Sequence, residues 1–495
     1  MLLSLLLAAC VREPVIYPGP DLSTAPTDTA AATGTGTGSG TATGTPTGGT
    51  GTPTGTSTGT ATGTGTGTAT GSTTDALIAF DGPRPRNILF WSIDTLRRDL
   101  FVRHGGKSNM PWMEGLMAEG VVFDDVQQCS NWTGAGTSCT MSGRHGVDAG
   151  FEPLLSAREG DDFVPDDSVF MAEVLRDEGW HTILYSTNGW LRTVWGNTQG
   201  FDVNVHMGGA RAFGVLEAAR QTVLEAPADL PWYTHLHFYD PHAPYNPPEE
   251  YLGELEGREE LPWDLANRPE HYEGRDLYHS LDADTQLELK TQLIIRYEAE
   301  VRFMDDRMAE QWVLWDEAGL LDDTLVVFWA DHGEAFWEHG RQTHAWHLFE
   351  EENSVAMFLW SKNIKPNSYA GPVSTIDLMP TLLDLYEVDV PEEATGLLIP
   401  DQITDDRVRY AMANAREGVV QSVTRGTQRI MFYWRSGEVV VTDSAVDPDE
   451  RLDLYDPEDA LTLELWELLK PRVEQADANL DTVRWPITWP ADLPR

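Results

Sequence analysis

The fold is decided by the stretch P-R-N-I-L-F-W-S-I-D-T-L-R-R-D at residues 85–99, in which the apolar run 87–93 leads directly into Asp94. A second apolar run, L-V-V-F-W-A at 325–330, leads directly into Asp331 and His332. Neither run alternates, which is typical of strands buried on both faces of a parallel sheet. Ligands bind beyond the carboxyl ends of such strands. An Asp there also serves as a helix cap, but two of them with an adjoining His favour a metal or substrate site.

Helical and extended patterns alternate along the middle of the chain. The predicted helices lie at 110–119, 168–178 and 284–318, and further strands lie at 121–126 and 181–186. This alternation predicts an α/β fold with a mostly parallel central sheet covered by helices. From residue 411 the pattern changes to short strands at 430–434 and 438–442 and a helix near 461–475. We therefore expect a main domain over 84–410 and a small C-terminal α+β subdomain over 411–495.

The N-terminal region has a different composition. Residues 1–10, M-L-L-S-L-L-L-A-A-C, resemble a bacterial lipoprotein signal ending in a lipidated Cys10, although the basic n-region is missing. Residues 11–80 are rich in Thr and Gly, with no Lys or Arg between Arg12 and Arg84, and predict a disordered linker. We expect a lipid anchor in the cell envelope, with Val11 favouring the outer membrane and the body facing the periplasm or exterior. The alternative is an ordinary apolar N-terminus.

The charge balance excludes some partners. The chain of 495 residues has 34 Lys+Arg against 79 Asp+Glu, a net charge of −45. Such a surface repels phosphate backbones and anionic lipids, so we expect no nucleic-acid partner. No run approaches the length of a membrane-spanning segment. Membrane contact is therefore expected only through the lipid anchor.

Many motifs together resemble the sulfatase family of the alkaline phosphatase superfamily, over most of residues 84–470. Besides 85–99, they include S-N-W-T-G-A-G-T-S-C-T-M-S-G-R at 130–144, H-F-Y-D-P-H-A-P-Y at 237–245, L-L-D-D-T-L-V-V-F-W-A-D-H-G-E at 320–334 and S-T-I-D-L-M-P-T-L-L-D-L at 374–385. The resemblance implies an alkaline phosphatase-like sandwich that hydrolyses esters.

The same resemblance implies a nucleophile. Counting back nine residues from the S-G-R turn at 142–144 leads to Thr133, which matches family members that use a Thr hydroxyl directly. Cys139 lacks the family's Pro and Arg in place, so formylglycine is not expected. Ala135, Gly136 and Thr137 stand where the family has Pro, Ser and a basic residue, which places anion binding in question.

By the family's pattern, Asp94, Thr133, Asp331 and His332 would surround one divalent ion. Many sulfatases have a second Asp and an Asn at the positions of Thr95 and His332. The imidazole and the missing carboxylate favour manganese or zinc over calcium, with the identity left open.

Other family positions imply further roles. His242, between two prolines, matches the family His that contacts the transferred group or protonates the leaving oxygen. His344 matches a substrate-binding segment in which Thr343 replaces the usual Lys, and Arg144 is a second substrate-binding candidate. Arg97 and His339 are weaker candidates. Cys129 and Cys139 flank Thr133 and are either a disulfide or two buried thiols.

These observations predict a metal-dependent hydrolase of sulfuric or phosphoric esters that acts through Thr133 on a small-molecule, glycan or lipid ester. Thr lacks the second hydroxyl with which formylglycine expels sulfate, which leans toward a phosphodiesterase or phosphotransferase. The remaining alternative is a catalytically degenerate surface binding lipoprotein. Trp residues near the site are expected to be core.

Overall fold

The computed structural model describes residues 76–107, 109–149, 164–165, 167–258, 278–415, 418–480 and 486–494. Cys10 and nearly all of the predicted linker lie outside these residues. The packed chain begins earlier than the expected residue 84, because Leu77 and Ile78 are already buried and Phe80 forms a β-bridge with Ile364.

The main sheet has eight strands in the order β10-β2-β9-β6-β1-β5-β3-β4. Neighbouring strands are parallel except for β9, which runs antiparallel to β2 and β6. The central strands β1, β5 and β6 are buried along almost their whole length, as the non-alternating runs predict. The strands are β1 (Asn87–Ile93), β2 (Val121–Gln127), β3 (His181–Ser186), β4 (Val203–His206), β5 (Trp232–Phe238), β6 (Thr324–Ala330), β9 (Met357–Trp360) and β10 (Asn367–Ser374), with a small hairpin of β7 (Ala335–Phe336) and β8 (Gln342–Thr343).

Helices cover this sheet. The longest, α6, begins after Asp282, whose carboxylate accepts from the Thr285 N–H at 3.0 Å. Among the described residues, no helix combines the length and hydropathy that crossing a bilayer requires. The helices are α1 (Pro111–Glu119), α2 (Thr133–Ser142), α3 (Gly146–Ala149), α4 (Met171–Asp177), α5 (Ala212–Glu225), α6 (Ala283–Glu317), α7 (Glu350–Asn353), α8 (Leu378–Leu385) and α9 (Ala460–Asn479).

The C-terminal part forms an antiparallel sheet of β11 (Val408–Ala415), β12 (Gly418–Arg425), β13 (Gln428–Tyr433) and β14 (Glu438–Asp443), in that order. Its strands alternate between two buried faces. One face packs on α9, where the Phe432 and Trp466 rings lie 5.6 Å apart. The other face packs on Leu348 and Phe349 of the main domain. The expected α/β class, with a small C-terminal α+β part, is confirmed.

Deleting residues 1–79 rather than 1–75 should destabilise the protein. The longer deletion removes the buried Leu77 and Ile78 side chains, each worth about 1.5–3 kcal/mol. It also removes the Ala79 carbonyl that accepts from the Lys365 N–H at 2.7 Å. Urea unfolding should therefore give a free energy of unfolding lower by about 3 kcal/mol or more for the longer deletion. Equal stabilities would contradict the packing of this segment.

Candidate active site

Two buried carboxylates and an imidazole meet at the carboxyl ends of β1 and β6. The two strands pair in parallel, with Ile93 opposite Ala330, so Asp94 and Asp331 emerge side by side. Both strand ends are held by backbone bonds, from Asp94 N–H to the Phe238 carbonyl at 3.0 Å and from Asp331 N–H to the Ile93 carbonyl at 3.1 Å. Ligand atoms of Asp94, Asp331 and His332 all lie within 4.8 Å of one another.

The orientation of His332 suits a metal ligand. Its Nδ1 donates to the Gly333 carbonyl at 2.9 Å, which leaves the Nε2 lone pair facing inward. That Nε2 lies 3.4 Å from Asp94 Oδ1 and 3.6 Å from Asp331 Oδ1. Burial lowers the pKa of His332, so the ring is neutral at neutral pH. Asp94 Oδ1 is buried without a hydrogen-bond partner among the described residues. The donor set therefore fits one divalent ion.

The pKa values of the two carboxyl groups are shifted in opposite directions. Burial, followed by the charge of Asp331, raises the pKa of Asp94 well above its ordinary value. Burial also acts to raise the pKa of Asp331, but His332 and His237 bring it below the ordinary value. The His237 Nε2 lies 3.2 Å from Asp331 Oδ2. Two buried carboxylates that share one site repel each other, and the repulsion raises the pKa of one of them.

Thr133 is the first residue of α2 and is 2% exposed. Its Oγ1 lies 3.5 Å from Asp94 Oδ2 and 3.4 Å from His332 Nε2. Asn188, which follows β3, donates from Nδ2 to Asp94 Oδ2 at 2.7 Å and to Thr133 Oγ1 at 3.0 Å. The N-terminus of α2 also favours negative charge at this hydroxyl. The hydroxyl is therefore placed within the same cluster as the three metal-ligand candidates.

The loop that carries Thr133 is held rigidly. Cys129 and Cys139 are joined in a disulfide, where sequence reasoning left free thiols open. At Gly136, a Cβ would approach the Asp331 carbonyl oxygen to 3.1 Å, so this position allows α2 to lie close to the end of β6. Thr137, at the position of the family's basic residue, is 2% exposed and carries no charge.

Two further imidazoles lie beside the cluster. The His344 ring lies 4.2 Å from the His332 ring and 5.1 Å from the His242 ring, measured between centroids. His344 Nδ1 bonds to Glu334 Oε1 at 3.0 Å. His242 Nδ1 bonds to the Ala243 carbonyl at 2.6 Å. The structure thus brings both predicted histidines to the cluster.

Three other predicted side chains lie elsewhere. Arg144 follows the C-terminal end of α2 and donates to the Asp148 carbonyl at 2.5 Å. Arg144 lies eleven positions after Thr133 along the chain, beyond the end of this helix, and its expected substrate-binding role stays a prediction. Arg97 pairs with Glu338 at 2.9 Å. His339 pairs with Glu351 at 2.6 Å, outside the cluster.

Sequence reasoning did not identify Asn188, His237 or Glu334. Asn188 comes two residues after the strand 181–186, a strand-end position similar to the one that indicated Asp94. His237 lies in the buried strand T-H-L-H-F at 234–238, where an ionisable residue is unusual. Glu334 belongs to the D-H-G-E motif, and its Oε2 accepts from the Tyr245 hydroxyl at 2.8 Å.

An α/β sheet with a hydroxyl among acidic and imidazole side chains at its carboxyl edge is typical of the alkaline phosphatase superfamily. Within it, the chain belongs to the sulfatase family of hydrolases: the family model described as Sulfatase matches residues 86–388, more than half of the chain.

Individual relatives are distant. An arylsulfatase from Clostridium perfringens (strain 13 / Type A) is 24% identical over 291 residues, 55% of this chain and 57% of that relative. A solved structure of BT4656 with its substrate D-glucosamine-2-N,6-O-disulfate has a TM-score of 0.61 at 17% identity and covers 80% of this chain and 99% of the other. A phosphonate monoester hydrolase from Silicibacter pomeroyi has a TM-score of 0.58 at 17% identity, with 80% and 96% covered. These two structures share the fold.

Replacing Asp94 by Asn should distinguish the effect of metal binding on Tm from the stability of the metal-free protein. Without metal, Asp94→Asn should raise Tm, because it removes one of two buried, mutually repelling carboxylates. Manganese chloride should raise the Tm of the unaltered protein, by the equivalent of about 2.7 kcal/mol at a hundred times Kd, and leave that of Asp94→Asn unchanged. The exposed Asp389, changed to Asn, is the control and should respond like the unaltered protein. Equal Tm increases with manganese in Asp94→Asn and Asp389→Asn would contradict the proposed metal site.

Proposed function

We propose that this chain is a metal-dependent hydrolase of sulfuric or phosphoric esters in which Thr133 is the nucleophile. One observation carries the proposal: Thr133 Oγ1 lies 3.4–3.5 Å from two of the three candidate metal ligands, in a buried cluster at the carboxyl edge of the sheet. A polar turn residue without a catalytic role would have no need of these neighbours. Membership of the sulfatase family supports the hydrolytic reaction.

Asp94, Asp331, His332 and the Thr133 hydroxyl would hold one divalent ion. When bound, such an ion lowers the pKa of a coordinated hydroxyl and offsets the charge of the group transferred. The imidazole of His332, and Thr95 where many sulfatases have a second Asp, favour manganese or zinc over calcium.

The residues around Thr133 prepare its attack on sulfur or phosphorus. The Asn188 Nδ2 donates to Thr133 Oγ1 at 3.0 Å, which fixes the oxygen and stabilises negative charge developing on it. Because the loop carries the Cys129–Cys139 disulfide, little ordering of the nucleophile remains to be done when substrate binds. The bond formed is Thr Oγ to sulfur or phosphorus, and the bond broken is the ester bond to the leaving oxygen.

His242 would protonate that leaving oxygen. Its Nδ1 is engaged by the Ala243 carbonyl, so Nε2 is the nitrogen that gives the proton. Thr133 gives up its hydroxyl proton to solvent before it attacks. In the second step the same His242 nitrogen accepts a proton from the water that attacks sulfur or phosphorus, which restores the proton His242 gave, and the Thr133 oxygen is released in the ionised form in which it attacked. His344 lies beside His242 and supplies a further polar contact for the transferred group, while the uncharged Thr343 stands where many family members have Lys.

The chemistry of Thr133 favours a second candidate, a phosphodiesterase or phosphotransferase. A Thr ester has no second hydroxyl on the same carbon, so it must be cleaved at sulfur or phosphorus. Phosphoryl and phosphonyl esters tolerate this step more readily than sulfuryl esters. The similarity to a phosphonate monoester hydrolase is consistent with this candidate. The glycan substrate named for BT4656 supports a sugar ester among the possible substrates.

We also propose that the enzyme is lipid-anchored through Cys10 in the cell envelope, with residues 11–75 as a tether. The disulfide next to Thr133 supports an oxidising compartment of this kind. Palmitate labelling of the full chain, lost in Cys10→Ser, would test this localisation.

Removing the Thr133 hydroxyl should abolish turnover. With manganese, zinc or calcium bound, Thr133→Ala should lower kcat by about 10⁴-fold or more, and Thr133→Ser should retain measurable activity because the attacking oxygen remains. The substrates are 4-nitrophenyl sulfate, 4-nitrophenyl phosphate and bis(4-nitrophenyl) phosphate, and the preferred one decides between sulfuric and phosphoric esters. Unchanged activity in Thr133→Ala would contradict the nucleophile. If no ester is cleaved with any of the metals, the surface binding protein is the better account.

A further inference from the structure

The loop that carries His242 is held by charged side chains that lie outside the catalytic cluster. This His242 loop, residues 239–246, follows β5 directly. Its second residue, Asp240, is 5% exposed. Asp240 Oδ2 accepts from the Ala212 N–H, the first of α5, at 2.7 Å. The proposed reaction uses His242 but gives no role to the Asp240 carboxylate.

Arg211 contacts the His242 loop at two points. It directly precedes α5, and its Nη1 donates to Asp240 Oδ1 at 2.6 Å. Its Nη2 donates to the Asn246 carbonyl, at the far end of the loop, at 3.0 Å. The guanidinium group is planar and rigid, so its N–H donors have a fixed geometry. Arg211 therefore fixes the beginning and the end of the segment that carries His242 relative to each other.

The guanidinium of Arg211 is itself held by Glu300 of α6. Arg211 Nη1 contacts Glu300 Oε1, and the Glu300 side chain is 1% exposed. The Glu300 Oε2 atom has no hydrogen-bond partner among the described residues. A buried carboxylate is costly unless a cation lies beside it. Glu300 therefore keeps Arg211 against the loop, and the proposed reaction does not otherwise use this carboxylate.

The same helix also contacts the segment that follows β1. Tyr297, three residues before Glu300, donates through its hydroxyl to the Thr95 carbonyl at 2.7 Å. Its ring lies 5.5 Å from that of Tyr245, which belongs to the His242 loop. Residues three apart on a helix are neighbours on one face. One face of α6 therefore contacts both the residue after Asp94 and the His242 loop, which relates the position of the loop to that of the proposed metal ligands.

Within the loop, His242 has little local freedom. Its ring stacks on the Tyr239 ring at 4.4 Å, and its backbone N–H donates to the Tyr239 carbonyl at 2.8 Å. Its Nδ1 bonds to the Ala243 carbonyl at 2.6 Å. The direction of the remaining nitrogen, Nε2, therefore depends on where the whole loop lies.

We propose that Arg211, held by Glu300, is a positioning residue for proton donation by His242. The proposal rests on the proposed function, in which His242 Nε2 protonates the leaving oxygen. Placement of the acid matters most when the leaving alcohol is weakly acidic, because its oxygen departs slowly without a proton. Arg211 therefore extends the substrates of the enzyme from activated aryl esters to esters of ordinary alcohols.

Turnover of two esters that differ only in their leaving group tests this assignment. The esters are the 4-nitrophenyl and phenyl esters of whichever acid the enzyme prefers, sulfuric or phosphoric. Arg211→Gln should lower kcat for the phenyl ester by about 10²-fold, a typical contribution of a general acid, and for the 4-nitrophenyl ester by less than about threefold. Arg211→Lys, which keeps a cation beside Glu300, should recover part of the loss. Arg302→Gln, which removes an ion pair with Asp306 on the same helix, is the matched control and should change neither value.

Combined variants show whether Arg211 acts through His242. His242→Ala should slow the phenyl ester selectively, and adding Arg211→Gln should slow it no further, because the two residues serve one step. Arg211→Gln alone leaves Glu300 buried without its cation. The double variant Arg211→Gln/Glu300→Gln removes both charges and should show the same selective loss. Hydrogen exchange of the backbone over 239–246 should be faster in this variant than in the unaltered protein.

Three results would overturn the assignment: unchanged kcat for the phenyl ester in Arg211→Gln/Glu300→Gln, an equal loss for both esters, or a further loss when Arg211→Gln is added to His242→Ala. Failure of the proposed function gives a different pattern. Activity that is unchanged in Thr133→Ala would reject the nucleophile whatever Arg211 does. An esterase that depends on Thr133, with the same response of both esters to Arg211→Gln, would retain the proposed function and reject the role of Arg211.

Discussion

The structure depends on the convergence of two buried carboxylates and one neutral imidazole at the ends of two adjacent parallel strands. Parallel pairing of β1 with β6 places Asp94 and Asp331 side by side where neither is exposed. Bringing such charges together out of water costs several kcal/mol, and the cost is offset only by a cation or by hydrogen bonds. Asp331 receives bonds from the Thr95 N–H and from His237, whereas Asp94 Oδ1 receives none among the described residues. Because Asp94 Oδ1 is buried without a hydrogen-bond donor among the described residues, we expect a metal ion to bind here.

The surrounding elements hold the residues of this cluster in position. The disulfide and the close approach at Gly136 place the first residue of α2 against the end of β6, and Asn188 from the neighbouring part of the sheet bonds to both the hydroxyl and Asp94. The family's basic residue is absent at Thr137, and the imidazoles of His242 and His344 lie beside the cluster.

Sequence patterns predicted those parts of the site that depend only on the residues of a single strand or motif. Non-alternating strands identified Asp94, Asp331 and His332, because a strand end in a parallel sheet is recognisable without knowing its neighbours. Motif spacing alone does not show that a helix lies between Thr133 and Arg144. Local sequence signals mark Asn188 as a strand-end residue and His237 as an ionisable residue in a buried strand, but their positions beside Asp94 and Asp331 depend on the strand order β1-β5-β3, which no local pattern reveals.

The central claim is that Thr133 carries the transferred group during the reaction. Acid quenching of the metal-loaded protein with its best ester, followed by mass spectrometry of the peptide that contains Thr133, tests it most directly. The account predicts a mass increase of one sulfuryl or phosphoryl group on Thr133, absent in Thr133→Ala. Turnover with that group attached to another residue, or with no covalent species at any quench time, would contradict it.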